Sequence, residues 1–402
     1  MSSNSVGVNF PFVSRSLALL KAQQKVLDGK KKNFTPFSIM KSANLEFVLA
    51  RHFGFCFGVE RAVQIAYEAL DLHRGEEVFL LSEMIHNPDV NEDLKRRGVV
   101  FLFDTLGNEL RPLTTLNPES VVILPAFGVS LDIEARLKEQ GVLIERYDTT
   151  CPFVERVWKR ARQLGASGYT IVVHGKPLHE ETRATFSRAS ATSSSIVVLS
   201  LDEARLLASY IKGEVSIDSF WRVFDGRVSS GFDPEVHLQR VGVINQTTML
   251  AEETSELANI LREALLVKYG PQGDIKDVFA DTRDTLCYAT SENQSSVHAL
   301  LNEEVNLALV IGGFNSSNTT HLAKICGRKF PTFHIRSAQD ILSLDSVTCL
   351  DLSTREVMNK NLRSCLPVDS KPIRIAVTAG ASTPDAIVEE VMDSIAELVR
   401  DH

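Results

Sequence analysis

Three cysteines of this chain stand in matching surroundings. Cys56 lies in Gly54-Phe55-Cys56-Phe57-Gly58-Val59-Glu60-Arg61, and Cys151 in Asp148-Thr149-Thr150-Cys151-Pro152-Phe153-Val154-Glu155-Arg156. Cys287 lies in Asp284-Thr285-Leu286-Cys287-Tyr288-Ala289-Thr290. The first two share Cys-x-x-Val-Glu-Arg and the last two share Asp-Thr-x-Cys. An apolar, strand-like run precedes each cysteine and a helix-compatible segment follows it. Thiolates are soft donors that select zinc or iron–sulfur centres. A closed zinc site takes four ligands, often in Cys-x-x-Cys pairs, and the chain has no such pair. Full protein ligation of an iron–sulfur cluster takes four cysteines; three would leave one iron open to a substrate. Two rival readings stay open. One is a zinc-binding protein closed by the three cysteines with His86 or His179. The other is a transferase with Cys151 or Cys56 as nucleophile at a helix N-terminus. Cys326, Cys349 and Cys365 lack the matching context and read as small core residues.

A second set of residues is suited to an anion. Asn315-Ser316-Ser317-Asn318, Ser382 and Thr247-Thr248 fall in turns that should open helices, where unpaired N–H groups and the helix dipole favour negative charge. His86 and His179 add imidazole donors. Each of these turns could equally be an ordinary Ser, Thr or Asn cap. No Gly-x-x-x-x-Gly-Lys-[Ser/Thr] loop is present, which argues against a nucleoside triphosphate and leaves a small diphosphate as the fitting ligand. In His179-Glu180-Glu181-Thr182, a carboxyl beside a metal group and an anion could be raised in pKa and donate protons. A solvated acidic helix start is the plainer alternative.

These residues need elements to hold them. From Leu45 onward, short Val/Ile/Leu runs alternate with helix-length segments, the pattern of parallel sheets covered on both faces. Strands are expected at Phe47–Ala50, Val142–Glu145, Leu307–Ile311 and Ile373–Val377, among others. Helices are expected at Arg61–His73, Ser295–Glu303, Ala338–Leu344 and Pro384–Arg400, among others. After each cysteine come two further strands with small polar C-terminal loops, so the expected fold is α/β. It comprises three pseudo-equivalent α/β domains with mainly parallel sheets around a central site, an iron–sulfur site where the three cysteines hold a cluster. The domains are 44–147, 148–282 (with an insertion at about 212–237) and 283–402, preceded by an N-terminal arm, 1–43. The arm has Asp28 as its only acid and a Lys30-Lys31-Lys32 run, and its Arg15–Leu27 stretch could form a short amphipathic helix. It reads as a surface arm; a basic, acid-poor start is also the composition of an organelle import address. Net charge is −8 with no basic stripe, so nucleic acid is not an expected partner. No apolar run approaches the ~18 residues of a membrane span. A bacterial cytoplasmic protein with reduced cysteines is the simplest expectation, with a plastid the setting if residues 1–43 are a transit peptide.

Taken together these motifs resemble the 4-hydroxy-3-methylbut-2-enyl diphosphate reductase family, from about Phe47 to the final helix. The resemblance rests on Gly54-Phe55-Cys56-x-Gly58-Val59, Ile85-His86-Asn87, Asp148-x-Thr150-Cys151-Pro152, Gln246-Thr247-Thr248, Cys287-Tyr288-Ala289-Thr290, Asn315-Ser316-Ser317-Asn318 and Thr378-Ala379-Gly380-Ala381-Ser382. It implies one [4Fe–4S] cluster bound by Cys56, Cys151 and Cys287, with Glu181 supplying protons and Thr247 orienting the substrate hydroxyl or its proton relay. It implies diphosphate contacts from His86, His179, Thr248, Ser316, Ser317, Asn318 and Ser382. The implied reaction is a reductive loss of water giving isopentenyl and dimethylallyl diphosphate, with reduced ferredoxin or flavodoxin as electron donor. One position departs from the bacterial pattern: Ala126-Phe127-Gly128 stands where many members have Ala-His-Gly. In this, as in its N-terminal extension, the chain is similar to the plant and cyanobacterial branch.

Overall fold

Short β-branched runs and amphipathic segments alternate along the chain, and most take the form their pattern dictates. The computed structural model describes residues 11–29, 32–270, 274–280, 285–367 and 372–400; Lys30, Lys31, Asp284 and the 282/283 boundary fall outside them. The N-terminal arm supplies α1 (Arg15–Asp28) and β1 (Phe37–Ser42), followed by β2 (Leu45–Leu49), α2 (Phe57–Leu72) and β3 (Val78–Leu80). Next come α3 (Pro88–Arg96), β4 (Val100–Phe101), β5 (Val121–Ile123), α4 (Leu131–Glu139) and α5 (Pro152–Ala166). The middle of the chain forms β6 (Thr170–His174), α6 (Glu180–Ser190), β7 (Ser195–Val198), α7 (Leu201–Lys212), α8 (Ile217–Phe224), α9 (Pro234–His237), β8 (Val241–Asn245), α10 (Ala251–Tyr269) and β9 (Phe279–Ala280). The last part forms α11 (Tyr288–Leu300), β10 (Leu307–Ile311), α12 (Ser317–Cys326), β11 (Thr332–Ile335), β12 (Ile341–Ser343), β13 (Ser346–Leu350), β14 (Val357–Lys360), β15 (Ile373–Ala379) and α13 (Asp385–Arg400).

Residue contacts divide the chain into two units. The first comprises residues 1–71, 85–93 and 288–402, and the second comprises 72–84 and 94–287. The first unit holds a sheet ordered β1-β2-β15-β10-β11, parallel except for the antiparallel edge strand β1, and a small antiparallel sheet β12-β13-β14. The second holds two parallel sheets, β4-β3-β5 and β7-β6-β8-β9. The three parallel sheets share one internal order. The first strand of each set is central, the second lies on one side of it and the third on the other. The segment just ahead of a cysteine then pairs outside the third strand. That segment is β2 ahead of Cys56, β9 ahead of Cys287, and a single parallel bridge, Leu124 to Asp148, ahead of Cys151. The strand Leu45–Leu49 therefore belongs to the sheet of the last third.

Local chemistry explains where the elements differ from the pattern. Val142–Glu145 is not a strand; Ile144–Tyr147 forms a 3-10 turn and Leu143 is exposed, so the run is not buried on two faces. The helix expected at Ser295–Glu303 begins at Tyr288, because its buried face is polar (Thr290, Asn293, Gln294, Ser296) and shows no apolar stripe. Ala338–Leu344 is a 3-10 turn leading into β12, and the largely exposed β14 escapes the apolar-run pattern. The insertion is packed, not loose. Phe220 and Phe224 are fully buried, with Phe220 ring centroids 4.9 Å from Phe224, 5.0 Å from Trp221 and 5.1 Å from Tyr210, and Val228 bridges Ile196 of β7.

The aromatic packing yields a stability expectation. Phe220→Ala should cost about 3–5 kcal/mol, the usual range for a truncated core Phe, read from the denaturant midpoint. A loss under about 1 kcal/mol would mean that the insertion does not share the core beside α7.

Candidate functional site

The first turn of α6, in the second unit, holds a buried acid. Helix α6 starts at Glu180 because His179 caps it, its Nδ1 accepting the Glu181 N–H at 3.2 Å. That first turn faces the loop after β8, where Thr247 donates to both Glu181 oxygens. Its N–H reaches Oε1 at 2.5 Å and its hydroxyl reaches Oε2 at 3.0 Å. Glu181 is 1% exposed. Burial raises its carboxyl to about 7, against the pull of the two Thr247 bonds. Its neighbour Glu180 is also raised, to about 8, by burial opposed by Ser82, but it lines a separate cavity of about 150 Å³ with Leu81, Phe103 and Arg183.

Gln246 holds this turn together. Its Oε1 accepts from the Thr182 hydroxyl and the Lys176 N–H, both at 3.1 Å, and its Nε2 donates to Thr248 Oγ1 at 2.8 Å. Gly175 permits the approach, since a Cβ there would lie 2.6 Å from Thr182 Oγ1. Asn245 extends the network, donating to the Gln246 carbonyl at 2.8 Å and accepting from Thr285, two residues ahead of Cys287.

Each matched cysteine stands directly before a helix. Cys151 is the N-cap residue of α5, with Pro152 opening the helix. The Cys56 carbonyl accepts the Glu60 N–H at 2.9 Å at the start of α2, and Cys287 immediately precedes α11. None of the six cysteines is in a disulfide. Burial pushes the Cys151 thiol up to about 11, and nearby Cys287 and Glu181 add to the rise. These three side chains of the second unit therefore lie within electrostatic reach of one another. Cys326 and Cys349 are fully buried in packed interior, as expected of core thiols.

The anion-binding candidates occupy both units. In the first, the Ser382 hydroxyl donates to the His86 carbonyl at 3.2 Å, and Asn315 Nδ2 lies 3.5 Å from His86 Nδ1. A Cβ on Gly313 would come 2.6 Å from that same carbonyl, so only glycine fits there. Ser316 caps α12 by accepting the Thr319 N–H. Asn318 is 2% exposed, and among the described residues neither atom of its amide has a hydrogen-bond partner. A buried amide of that kind needs a ligand or water to satisfy it. In the second unit, occupation of His179 Nδ1 as an acceptor puts the ring proton on Nε2, a donor for an anion. Phe127 packs edge-on against that imidazole, with centroids 5.7 Å apart. Phe127 has no side-chain hydrogen to donate to an anion and packs on the His179 ring instead. The sequence motif contained Gln246 but gave no sign that it joins four groups, because that role depends on where β8 ends.

A family model described as LytB protein matches residues 47–396. The chain belongs to the LytB family. It is 40% identical over 362 residues to the 4-hydroxy-3-methylbut-2-enyl diphosphate reductase of Prochlorococcus marinus (strain MIT 9515), covering 89% of this chain and 87% of the relative. The protein of the same name from Prochlorococcus marinus subsp. pastoris is 37% identical over 401 residues, covering 99% of this chain and 96% of the relative. The solved structure of (E)-4-hydroxy-3-methyl-but-2-enyl diphosphate reductase, described as the terminal enzyme of the non-mevalonate pathway, aligns at 29% identity. That alignment has a TM-score of 0.52 over 87% of this chain and 99% of the other.

The donor set of this LytB chain fits an iron–sulfur group. Three thiols outside any disulfide each stand at a helix start, where the dipole favours thiolate. A thiol raised by burial, as at Cys151, needs a neighbouring cation to ionise. Among the described residues no three His, Cys, Asp or Glu side chains gather around a point that could hold one metal ion. Thiolates of a polynuclear cluster each bind a different iron and need not do so.

The buried acid makes stability depend on pH. The folded chain keeps a proton on Glu181 that the unfolded chain releases between 4.5 and about 7. The cost of burying it is therefore absent below that window, grows through it, and is full above it. Glu181→Gln should gain stability relative to the parent between about pH 5 and about pH 8, by more than about 1 kcal/mol. Parallel curves for the two proteins, measured by denaturant unfolding, would contradict the raised pKa.

Proposed function

We propose that this chain reduces (E)-4-hydroxy-3-methylbut-2-enyl diphosphate to isopentenyl and dimethylallyl diphosphate. Membership of the LytB family and the names of its relatives support the reaction. The observation that carries the chemistry is the buried Glu181, poised near neutrality and gripped by Thr247. The balance is two electrons and two protons in, and one water out. Reduced ferredoxin or flavodoxin delivers the electrons one at a time. A [4Fe–4S] cluster bound by Cys56, Cys151 and Cys287 supplies reducing electrons and a Lewis-acidic iron for the substrate hydroxyl.

The remaining work falls to the protein. Glu181 gives its proton to the departing hydroxyl, and its raised pKa keeps that proton available near pH 7. As the carboxylate forms, the Thr247 N–H and O–H already point at its two oxygens and stabilise the charge without rearrangement. His86, His179, Thr248, Ser316, Ser317, Asn318 and Ser382 hold the diphosphate, and the unsatisfied amide of Asn318 supports its part in this. Binding energy from the diphosphate then positions the short carbon chain. The three sheets of common order support a reading of the chain as three copies, 44–147, 148–282 and 283–402. In this reading Leu45–Leu49 of the first copy is lent to the sheet of the last. No helix among the described residues is long and apolar enough to cross a membrane; the proposed setting is a bacterial cytoplasm, or a plastid if residues 1–43 act as a transit peptide.

Glu181→Gln should keep its iron and lose turnover by ~10²-fold or more, the scale of lost general acid catalysis. In the parent, turnover should fall as pH rises through about 7, the pKa of the buried acid, and this limb should vanish from the residual activity of the variant. Near-normal turnover in Glu181→Gln would remove Glu181 from the proton-donor role. Cys326→Ser should keep both iron and activity, since its thiol lies in the core of the first unit.

A further inference from the structure

Helix α1 lies ahead of residue 47, where the family match begins, yet it is built into the first unit through Leu17, which is buried in the main core. Its contacts converge on the loop that carries Cys56. Lys21 Nζ donates to the Phe53 carbonyl at 2.8 Å and to Asp385 Oδ1 at 2.6 Å, and sits 4.1 Å over the Phe53 ring. Phe53 is three residues ahead of Cys56, and Asp385 is three residues beyond Ser382. One ammonium group therefore ties the cysteine loop to the start of α13.

Arg51 makes the second tie. Its buried guanidinium donates from Nε to Asp28 Oδ2 at 2.9 Å and from Nη2 to the Gln24 carbonyl at 3.0 Å, with further bonds to the Asp28 carboxylate and the Gln24 amide. His52 Nε2 lies 3.1 Å from the Asn33 carbonyl. On its other side the same loop is stitched to the end of β15, with Gly54 N–H to Ala379 O and Cys56 N–H to Ala381 O, each at 3.2 Å. The fit leaves no slack. Gly54 has φ +75°, and a Cβ there would meet Asp385 Oδ1 at 2.5 Å and Lys21 Nζ at 3.2 Å. Between α1, this loop and α11 lies a cavity of about 390 Å³, lined by Lys21, Arg51, Cys56, Tyr288 and Glu292 among others.

We infer that α1 is a clamp that fixes the sulfur of Cys56 and limits access to it, with Lys21, Asp28 and Arg51 as positioning residues. The inference rests on the reading of Cys56 as a cluster ligand. Mutating residues that orient a metal ligand from behind typically costs ~10–100-fold in metal affinity. Removing Asp28 also leaves a buried guanidinium without its anion, which would push the loop outward.

The test uses the full chain loaded with iron and sulfide without oxygen. Iron extraction by a strong chelator is followed by absorbance at a temperature well below melting, beside the denaturant midpoint of each variant. Lys21→Met and Asp28→Ala should release iron at least ~10-fold faster than the parent, and Lys21→Arg should restore the parent rate. Lys21 is 28% exposed, so Lys21→Met tests the clamp even where Asp28→Ala does not fold. Release at the parent rate from Lys21→Met, or failure of Lys21→Arg to restore it, overturns the clamp. A parent chain that takes up no iron overturns the cluster reading instead.

Discussion

A carboxyl group with almost no exposed surface can lie in a protein interior either as the neutral acid or as an anion with donors aimed at it. Glu181 is set between these states. Desolvation favours the acid and outweighs the Thr247 N–H and hydroxyl, which favour the carboxylate, so the carboxyl is raised only as far as about 7. Neither could act without the other. Burial alone would give an acid too weak to release its proton, and the two hydrogen bonds alone would give a carboxylate with no proton to release.

Most of the second unit's architecture serves that balance. His179 starts α6 at the residue that turns Glu181 toward the end of β8, and Gln246 locks the loop on which Thr247 stands. Asn245 carries the same network to Thr285, ahead of Cys287. Parallel strands deliver these loops to one end of a sheet, the end at which α/β proteins bind ligands. The candidate anion contacts are mostly hydroxyls, amides and imidazoles, not lysines or arginines. Such groups can satisfy the oxygens of an anion through oriented hydrogen bonds at helix starts.

Much of this was legible in the sequence because it was written more than once. Three cysteines with shared flanks announced a repeat, and the sheets repeat one strand order around them. Continuous apolar runs such as Leu307–Ile311 and Ile373–Val377 named their own strands. What stayed hidden was whatever lacked an apolar signature. Helix α11 buries Thr290, Asn293, Gln294 and Ser296, so no hydrophobic period marks its true start. Gln246 reads as one residue of a short polar motif, and only the close approach of Gly175 and Thr182 makes it a junction. The ties from Lys21 to Phe53 and Asp385 span separations that no local pattern encodes. The composition of residues 1–43 suggested a surface arm, yet α1 covers the loop of a candidate metal ligand and β1 completes the edge of a sheet.

In the proposed reading Cys56, Cys151 and Cys287 hold a substrate-binding iron–sulfur cluster served by Glu181. The most direct measurement is the iron and sulfide content and absorption spectrum of protein purified without oxygen, before and after addition of the hydroxymethylbutenyl diphosphate. The expected result is a brown protein with about four irons and four sulfides, whose spectrum shifts when the substrate binds. A colourless protein with stoichiometric zinc, even after anaerobic reconstitution with iron and sulfide, would contradict it.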